Sequence, residues 1–265
     1  MRVRAGGIML ACDDIGEGEA VLFVHGFPHH RALWAPQMRT LRTRCRCIAP
    51  DLRGFGESAV APPYSMDRYA DDLARLLAAL GVERATVVGL SMGGYIALAF
   101  WRRHAAHVRA LVLADTRAGA DDAAARARRL ELAALARERG AEAVADAMLP
   151  GMAGKSTRER QPELMAALRA MLASAPVDGI VGALQAMMER PDSTPTLATI
   201  TVPTLVIVGD EDVLTPPAEA ERLHAGIAGS RLAVIPGAGH VSNLERPSAF
   251  TAVTCELLES LAATS

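Results

Sequence analysis

The run Gly89-Leu90-Ser91-Met92-Gly93-Gly94 constrains what this chain can become more than any other stretch of its 265 residues. It is a Gly-x-Ser-x-Gly pentapeptide standing between an apolar, β-branched segment at 85–88, which reads as a buried strand, and a helical pattern that continues to about residue 104. Small residues on either side of the serine allow a strained strand-to-helix turn, and such a turn pushes the Ser91 hydroxyl out at the C-terminal edge of a sheet. The pentapeptide by itself is a weak signal; the strand, turn and helix around it make it specific.

Strand and helix signals alternate on both sides of that turn. Residues 3–12 read as a hairpin turning at Gly6 and Gly7, 21–24 as a buried strand running into His25-Gly26-Phe27-Pro28, 31–41 as a crossing helix and 45–49 as a further strand. A helix over 66–80 is stopped by Gly81, and 108–113 is another buried strand. The alternation predicts a mostly parallel sheet flanked by helices. From about residue 117 to 199 β-branched runs vanish, Ala, Arg, Glu, Leu and Met dominate, and Pro150, Gly151, Pro162, Pro176 and Pro191 divide the stretch into short helices. Strand character returns at 204–208 and 232–235, with helices at 218–225 and 247–261. The expected organisation is a core of residues 1–116 and 200–265 carrying an inserted helical cap at 117–199.

About half the residues are apolar and the formal net charge is −2, which argues against both disorder and attraction to nucleic acid and favours a small-molecule partner. Gly6, Gly7, Cys12, Asp13 and Asp14 interrupt any N-terminal signal core, and no run is long enough to cross a bilayer, so the expectation is a cytoplasmic protein without membrane association. Cys12, Cys45, Cys47 and Cys255 show no metal or redox spacing and read as reduced thiols. Cys45 and Cys47, two apart in a strand, are expected on opposite faces.

A serine hydroxyl is a poor nucleophile at neutral pH and needs a base within hydrogen-bond reach. Of the seven histidines, His240 follows a glycine-rich loop just after the last strand signal, at the sheet edge where Ser91 emerges, whereas His104, His107 and His224 lie near helix ends and read as surface or capping residues. For the acid that would orient the imidazole, the residues leave Asp210, Glu211 and Asp212, all after the strand at 204–208, and Asp115, after the strand at 108–113.

With His25-Gly26-Phe27-Pro28, the segment from Asp51 to Ser58, the turn at Ser91, Gly209-Asp210-Glu211-Asp212 and Gly237-Ala238-Gly239-His240 in hand, the chain resembles the α/β-hydrolase fold family, over nearly its whole length apart from the cap. It looks most like a bacterial esterase branch that also contains enol-lactonases, methyl ester hydrolases and cofactor-free haloperoxidases. The resemblance implies an eight-stranded sheet, a reaction without cofactor or metal, and the order nucleophile, acid, histidine. It places the acid at Asp212, through Gly209, Asp212 and Pro216, with Asp115 as the rival, and the oxyanion donors at the backbone N–H groups of Phe27 and Met92. Phe27 and Trp34 are expected to wall the substrate pocket. Asp51 and Arg53 are expected to satisfy backbone groups near the turn, Gly54 and Gly56 to meet special turn conformations, and Glu245 and Pro247 to begin the last helix rather than to take part in the chemistry.

Gly154-Lys155-Ser156 ends like a phosphate-binding loop but lacks its first glycine and its preceding strand, so nucleotide binding is not expected. Arg126, Arg128 and Arg129 are surrounded by Asp121, Asp122, Glu131 and Glu138 and read as a solvated mixed-charge face. Met148, Met152, Met165, Met171, Met187 and Met188 suggest a flexible apolar lining over the cleft, and the sequence offers no dedicated basic cluster pointing at a carboxylate, though a lone cap arginine could serve. The expected activity is hydrolysis of small to medium, largely apolar carboxylic esters. The alternatives are a lactonase, a C–C bond hydrolase or a perhydrolase using the same residues, or a ligand-binding member of the fold without turnover. Dehalogenation and epoxide opening, which generally need a carboxylate nucleophile, do not fit a serine at position 91.

Overall fold

The computed structural model describes residues 1–263. Strands β1 (Arg2–Ala5) and β2 (Ile8–Ile15) form the expected hairpin, with Gly6 at φ 66° in its turn. Then follow β3 (Ala20–Val24), α1 (Ala35–Leu41), β4 (Arg46–Pro50), α2 (Met66–Ala79), β5 (Ala85–Leu90), α3 (Met92–His104) and β6 (Val108–Ala114). Five helices come next: α4 (Ala123–Met152), α5 (Lys155–Arg160), α6 (Pro162–Ala173), α7 (Val177–Met188) and α8 (Thr194–Leu197). The chain closes with β7 (Thr204–Gly209), α9 (Pro217–Gly226), β8 (Arg231–Ile235), α10 (Ser242–Glu245) and α11 (Pro247–Ala262).

The sheet has eight strands in the order β1-β2-β4-β3-β5-β6-β7-β8, antiparallel at β1–β2 and β2–β4 and parallel from β4 onward. Because successive side chains of a strand leave on opposite faces, the apolar runs supply two cores at once. Leu22 and Val24, Val87, Leu111 and Leu113, and Val206 and Val208 join the core shared with α2 and α3. Val21 and Phe23, Val88 and Leu90, Val112, and Leu205 and Ile207 join the core closed by α1 and α11. A strand buried on both faces cannot show polar alternation, which is why these segments read as continuous apolar runs.

Two local expectations are corrected. Cys45 precedes β4 instead of lying within it, so the alternation rule does not apply to it; its sulfur lies 3.7 Å from that of Cys47, both in the core beneath α1 and α11. All four cysteines are free thiols. The break in α4 falls at Gly140, with φ 78°, and Pro150 sits inside the helix's C-terminal part. Gly140 tolerates a left-handed conformation that other residues resist, so it interrupts the helix, whereas Pro150 does not stop it before Met152. Among the described residues no single helix is long and apolar enough to cross a membrane.

Candidate active site

Ser91 occupies the sharp turn between β5 and α3 with φ 56° and ψ −116°, a conformation that costs a non-glycine residue roughly 1–3 kcal/mol and persists only when its surroundings enforce it. Here the Ser91 N–H donates to Ala114 O at 2.9 Å and the Thr116 hydroxyl donates to Ser91 O at 2.7 Å. The turn also needs Gly93: a Cβ there would stand 2.1 Å from Val24 O, so α3 reaches the end of β3 only without a side chain. The strain and the close approach have one result, a hydroxyl held clear of the sheet.

His240 lies in the loop between β8 and α10, and its Nε2 is 2.8 Å from Ser91 Oγ. Its Nδ1 is 2.9 Å from Asp212 Oδ2, in the loop after β7. Asp212 is fixed in turn by Leu214 N–H at 2.8 Å and Thr215 N–H at 3.0 Å on Oδ1, and by the Thr215 hydroxyl at 2.7 Å on Oδ2. The electrostatics are coupled. Burial pushes His240 toward lower pKa, but the charge and hydrogen bond of Asp212 outweigh it and hold the imidazole above its ordinary value. Burial likewise pushes Asp212 up, and the His240 charge, its hydrogen bond and the Thr215 donors bring it below the usual carboxylate range.

The rival carboxylate, Asp115, is turned to other partners. It accepts the Gly209 N–H at 2.9 Å and the Ser242 hydroxyl at 2.5 Å, so it ties the end of β6 to the loops that carry Asp212 and His240. Burial, then the charge of Asp212, push its pKa well above the usual carboxylate value. Asp210 accepts the Gly237 N–H at 2.7 Å and ties the loop after β7 to the loop after β8.

Two glutamates organise this region: Glu245, read in the sequence as a helix start, and Glu211, one of the candidate acids. Glu245 is buried and accepts Gly239 N–H at 2.8 Å and Val241 N–H at 3.3 Å on one oxygen, flanking His240, and Gly154 N–H at 2.8 Å on the other. Glu211, beside Asp212, accepts the N–H of Ser156 at 2.7 Å and its hydroxyl at 2.5 Å. The Gly154-Lys155-Ser156 segment therefore latches the inserted helices onto the two loops that present Asp212 and His240. The sequence holds one faint signal of this: an acidic residue five positions beyond the histidine, next to a glycine-rich loop whose backbone donors need acceptors. The Asp51 to Ser58 segment is structural in detail that the sequence did not give. Arg53 pairs with Asp72 of α2 at 2.6 and 2.9 Å, away from the Ser91 turn, and Asp51 accepts the Glu57 and Arg31 N–H groups, each at 2.8 Å.

Ser91 and His240 open into a cavity of about 660 Å³ between the sheet's C-terminal edge and the inserted helices. Phe27 lines it. Gly26, the residue before Phe27, packs directly on the Ser91 turn, where a Cβ would come within 3.1 Å of Ser91 Cβ. Met92 is the first residue of α3, and its N–H therefore has no acceptor within the helix and belongs to the helix's positive end. Trp34 does not line the cavity, correcting the expectation. It is fully buried between Phe23 and Phe250, at ring centroid distances of 5.2 and 5.9 Å, because the turn at Arg31–Trp34 directs it into the core closed by α11.

Met148, Met152 and Met187 line the cavity, and Met165, Met171 and Met188 do not. The arginine stretch is a solvated face in part: Asp122, Arg126, Arg128, Glu131 and Glu138 are exposed, Arg129 is half-buried and Asp121 is buried, and Arg128, Arg129 and Glu131 also line the cavity together with Arg117. Helix α4 presents one side of this stretch to the cavity, a rotation set by its packing on α6 and α7.

The chain is similar to known proteins in sequence and in fold. The model of a family described as alpha/beta hydrolase fold matches residues 19–247. The chain is 31% identical over 236 residues to the 3-oxoadipate enol-lactonase 2 of Acinetobacter baylyi, covering 87% of this chain and 85% of that protein. Among solved structures, a thermophilic esterase from Thermogutta terrifontis with malate bound is similar at 41% identity and a TM-score of 0.95, with 98% of each chain covered. The enol-lactonase from Burkholderia xenovorans LB400 is similar at 30% identity and a TM-score of 0.91, covering 98% of this chain and 100% of that one.

Proposed function

The chain belongs to the alpha/beta hydrolase fold family, and on that footing we propose that it hydrolyses carboxylic esters, lactones included, through an acyl-enzyme on Ser91. The observation that carries the reading is the continuous path from Ser91 Oγ to His240 Nε2 at 2.8 Å and from His240 Nδ1 to Asp212 Oδ2 at 2.9 Å. His240 takes the hydroxyl proton as Ser91 Oγ bonds to the substrate carbonyl carbon, and Asp212 stabilises the imidazolium that results. The Phe27 and Met92 N–H groups receive the developing oxyanion, donors that need no reorganisation at the moment of reaction. Collapse of the intermediate expels the alkoxide, which leaves with the proton from His240. Water then attacks the acyl-enzyme, giving its proton to His240, and release of the acid restores the Ser91 hydroxyl. The inserted segment 117–199 acts as the cap that closes the pocket and sets substrate preference.

The esterase and enol-lactonase relatives favour a carbonyl substrate, and a lactone differs only in that its leaving alcohol stays tethered. The test is Ser91→Ala. Turnover of a short-chain chromogenic ester is expected to vanish while the circular dichroism spectrum and melting temperature stay native, and a fluorophosphonate is expected to label the wild-type protein at Ser91. Retained turnover in the variant would overturn the assignment, and a wild-type protein that takes no label would favour a ligand-binding role.

A further inference from the structure

Beneath one wall of the cavity lies a fully buried carboxylate on which three guanidinium groups converge. Asp121 accepts Arg117 Nη2 at 2.9 Å, Arg190 Nη1 at 2.8 Å, and the Nε and Nη2 of Arg129. Burial alone would raise this carboxyl, yet Arg129 and then Arg190 hold it at about 2, so it is an anion at any working pH. One negative charge thus meets three positive ones.

The surplus is placed at the cavity. Arg117 and Arg129 line it with Ser91 and His240, and so does Arg128, which makes no ion pair among the described residues. Arg190 lies behind, its guanidinium 4.1 Å over the ring of Tyr95, itself a cavity residue. The Nε groups of Arg117 and Arg190 are buried without hydrogen-bond partners. Glu131 is the acidic side chain on this lining, and Glu219 acts on Arg117 from outside it, so four guanidinium groups stand against three carboxylates here. Such a surplus carries a cost in desolvation and self-repulsion, and an incoming anion offsets it. Guanidinium forks match a carboxylate in shape as well as in charge. Much of the remaining lining is apolar, Leu132, Leu135, Met148 and Leu184 among it.

We propose that Arg117, Arg128 and Arg129 form a carboxylate subsite, and that the substrates are esters or lactones carrying a free carboxylate separated from the scissile carbonyl by a short apolar chain. The proposal rests on the hydrolase reading above and narrows it: the substrate is amphipathic, anionic at one end and acylating at the other.

The test pairs 4-nitrophenyl monoesters of succinic, glutaric and adipic acids with neutral 4-nitrophenyl esters of the same chain lengths. At one chain length or more, the wild-type kcat/KM is expected to favour the anionic ester by about tenfold or more, a ratio that falls with added sodium chloride and drops by about tenfold in Arg128→Gln. Arg128 is exposed and unpaired, so its replacement leaves the Asp121 cluster assembled. Equal or better turnover of the neutral ester at every length, or a ratio that neither salt nor Arg128→Gln moves, would overturn the subsite while leaving the hydrolase reading intact. Calorimetric binding of 4-nitrophenyl hydrogen adipate to Ser91→Ala, with and without Arg128→Gln, decides the subsite independently of turnover. Binding weakened about tenfold by the second substitution supports it, and unchanged binding overturns it. Absence of turnover with every ester would instead count against the hydrolase reading.

Discussion

Replacing Glu245 by glutamine removes one oxygen from a carboxylate that satisfies three backbone donors in a buried position. The carboxamide retains a single acceptor. Pointed at the His240 loop, it keeps Gly239 N–H and Val241 N–H and sets its NH₂ against Gly154 N–H; the opposite flip keeps one bond and strands two donors. The first arrangement is the cheaper, so the latch to Gly154 is the contact that fails. A hydrogen bond to a charged group is worth about 1.5–3 kcal/mol, and an unpaired buried N–H costs about 1–3 kcal/mol. Relief of the buried charge returns part of this, which leaves a net loss of about 3 kcal/mol. For a chain near this size, about 2–4 °C of melting temperature per kcal/mol gives a drop of roughly 6–12 °C. Thermal unfolding followed by circular dichroism measures the drop, and hydrogen exchange locates it: faster exchange at Gly154 with protection kept at Gly239. In ester turnover, KM is expected to rise more than kcat falls, since the cap segment loosens while the imidazole stays held. A melting temperature within 1 °C of wild type together with unchanged exchange at Gly154 would refute the reasoning.

Two further outcomes are expected. Asp212→Asn takes away the anion that outweighs burial at His240, so the rising limb of the pH–rate profile, above the ordinary histidine value in the wild type, is expected to move to lower pH, with kcat reduced by about 10⁴; a limb that stays in place or moves up would contradict the pairing. Gly93→Ala drives a methyl against Val24 O, and a loss beyond about 4 kcal/mol in urea unfolding, or failure to accumulate as folded protein, is expected; a native unfolding midpoint would show that α3 does not approach β3 as closely as described.

The residues proposed to do the chemistry were legible in the sequence by type and place, because covalent neighbours dictate their setting. Ser91 is flanked by glycines between a buried strand and a helix, and His240 follows a glycine-rich loop after the last strand, so local conformation alone puts each at the sheet's edge. The apolar runs of β3, β5, β6 and β7 declared a sheet covered on both faces for the same reason: burial on two sides leaves no polar alternation to obscure the pattern. Residue types and order did not separate Asp212 from Asp115, since both follow parallel strands and only the direction of the imidazole distinguishes them.

Contacts between segments far apart in the chain remained hidden. Glu245 read as a helix start and Gly154-Lys155-Ser156 as a rejected phosphate loop, yet Gly154 and Glu245 meet across 91 positions and tie the inserted helices to the histidine loop. Trp34 looked suited to a pocket wall until the packing of Phe23 and Phe250 drew it into the opposite core. Arg128 is exposed as its charged neighbours suggested, but that Arg129 meets a buried Asp121 among three guanidiniums, and that both arginines border the cavity, was not legible along the chain. Periodicity and turn chemistry act over a few residues and are written along the chain; the rotation of a helix about its axis, and the partner a buried side chain finds, depend on the whole core closing around them.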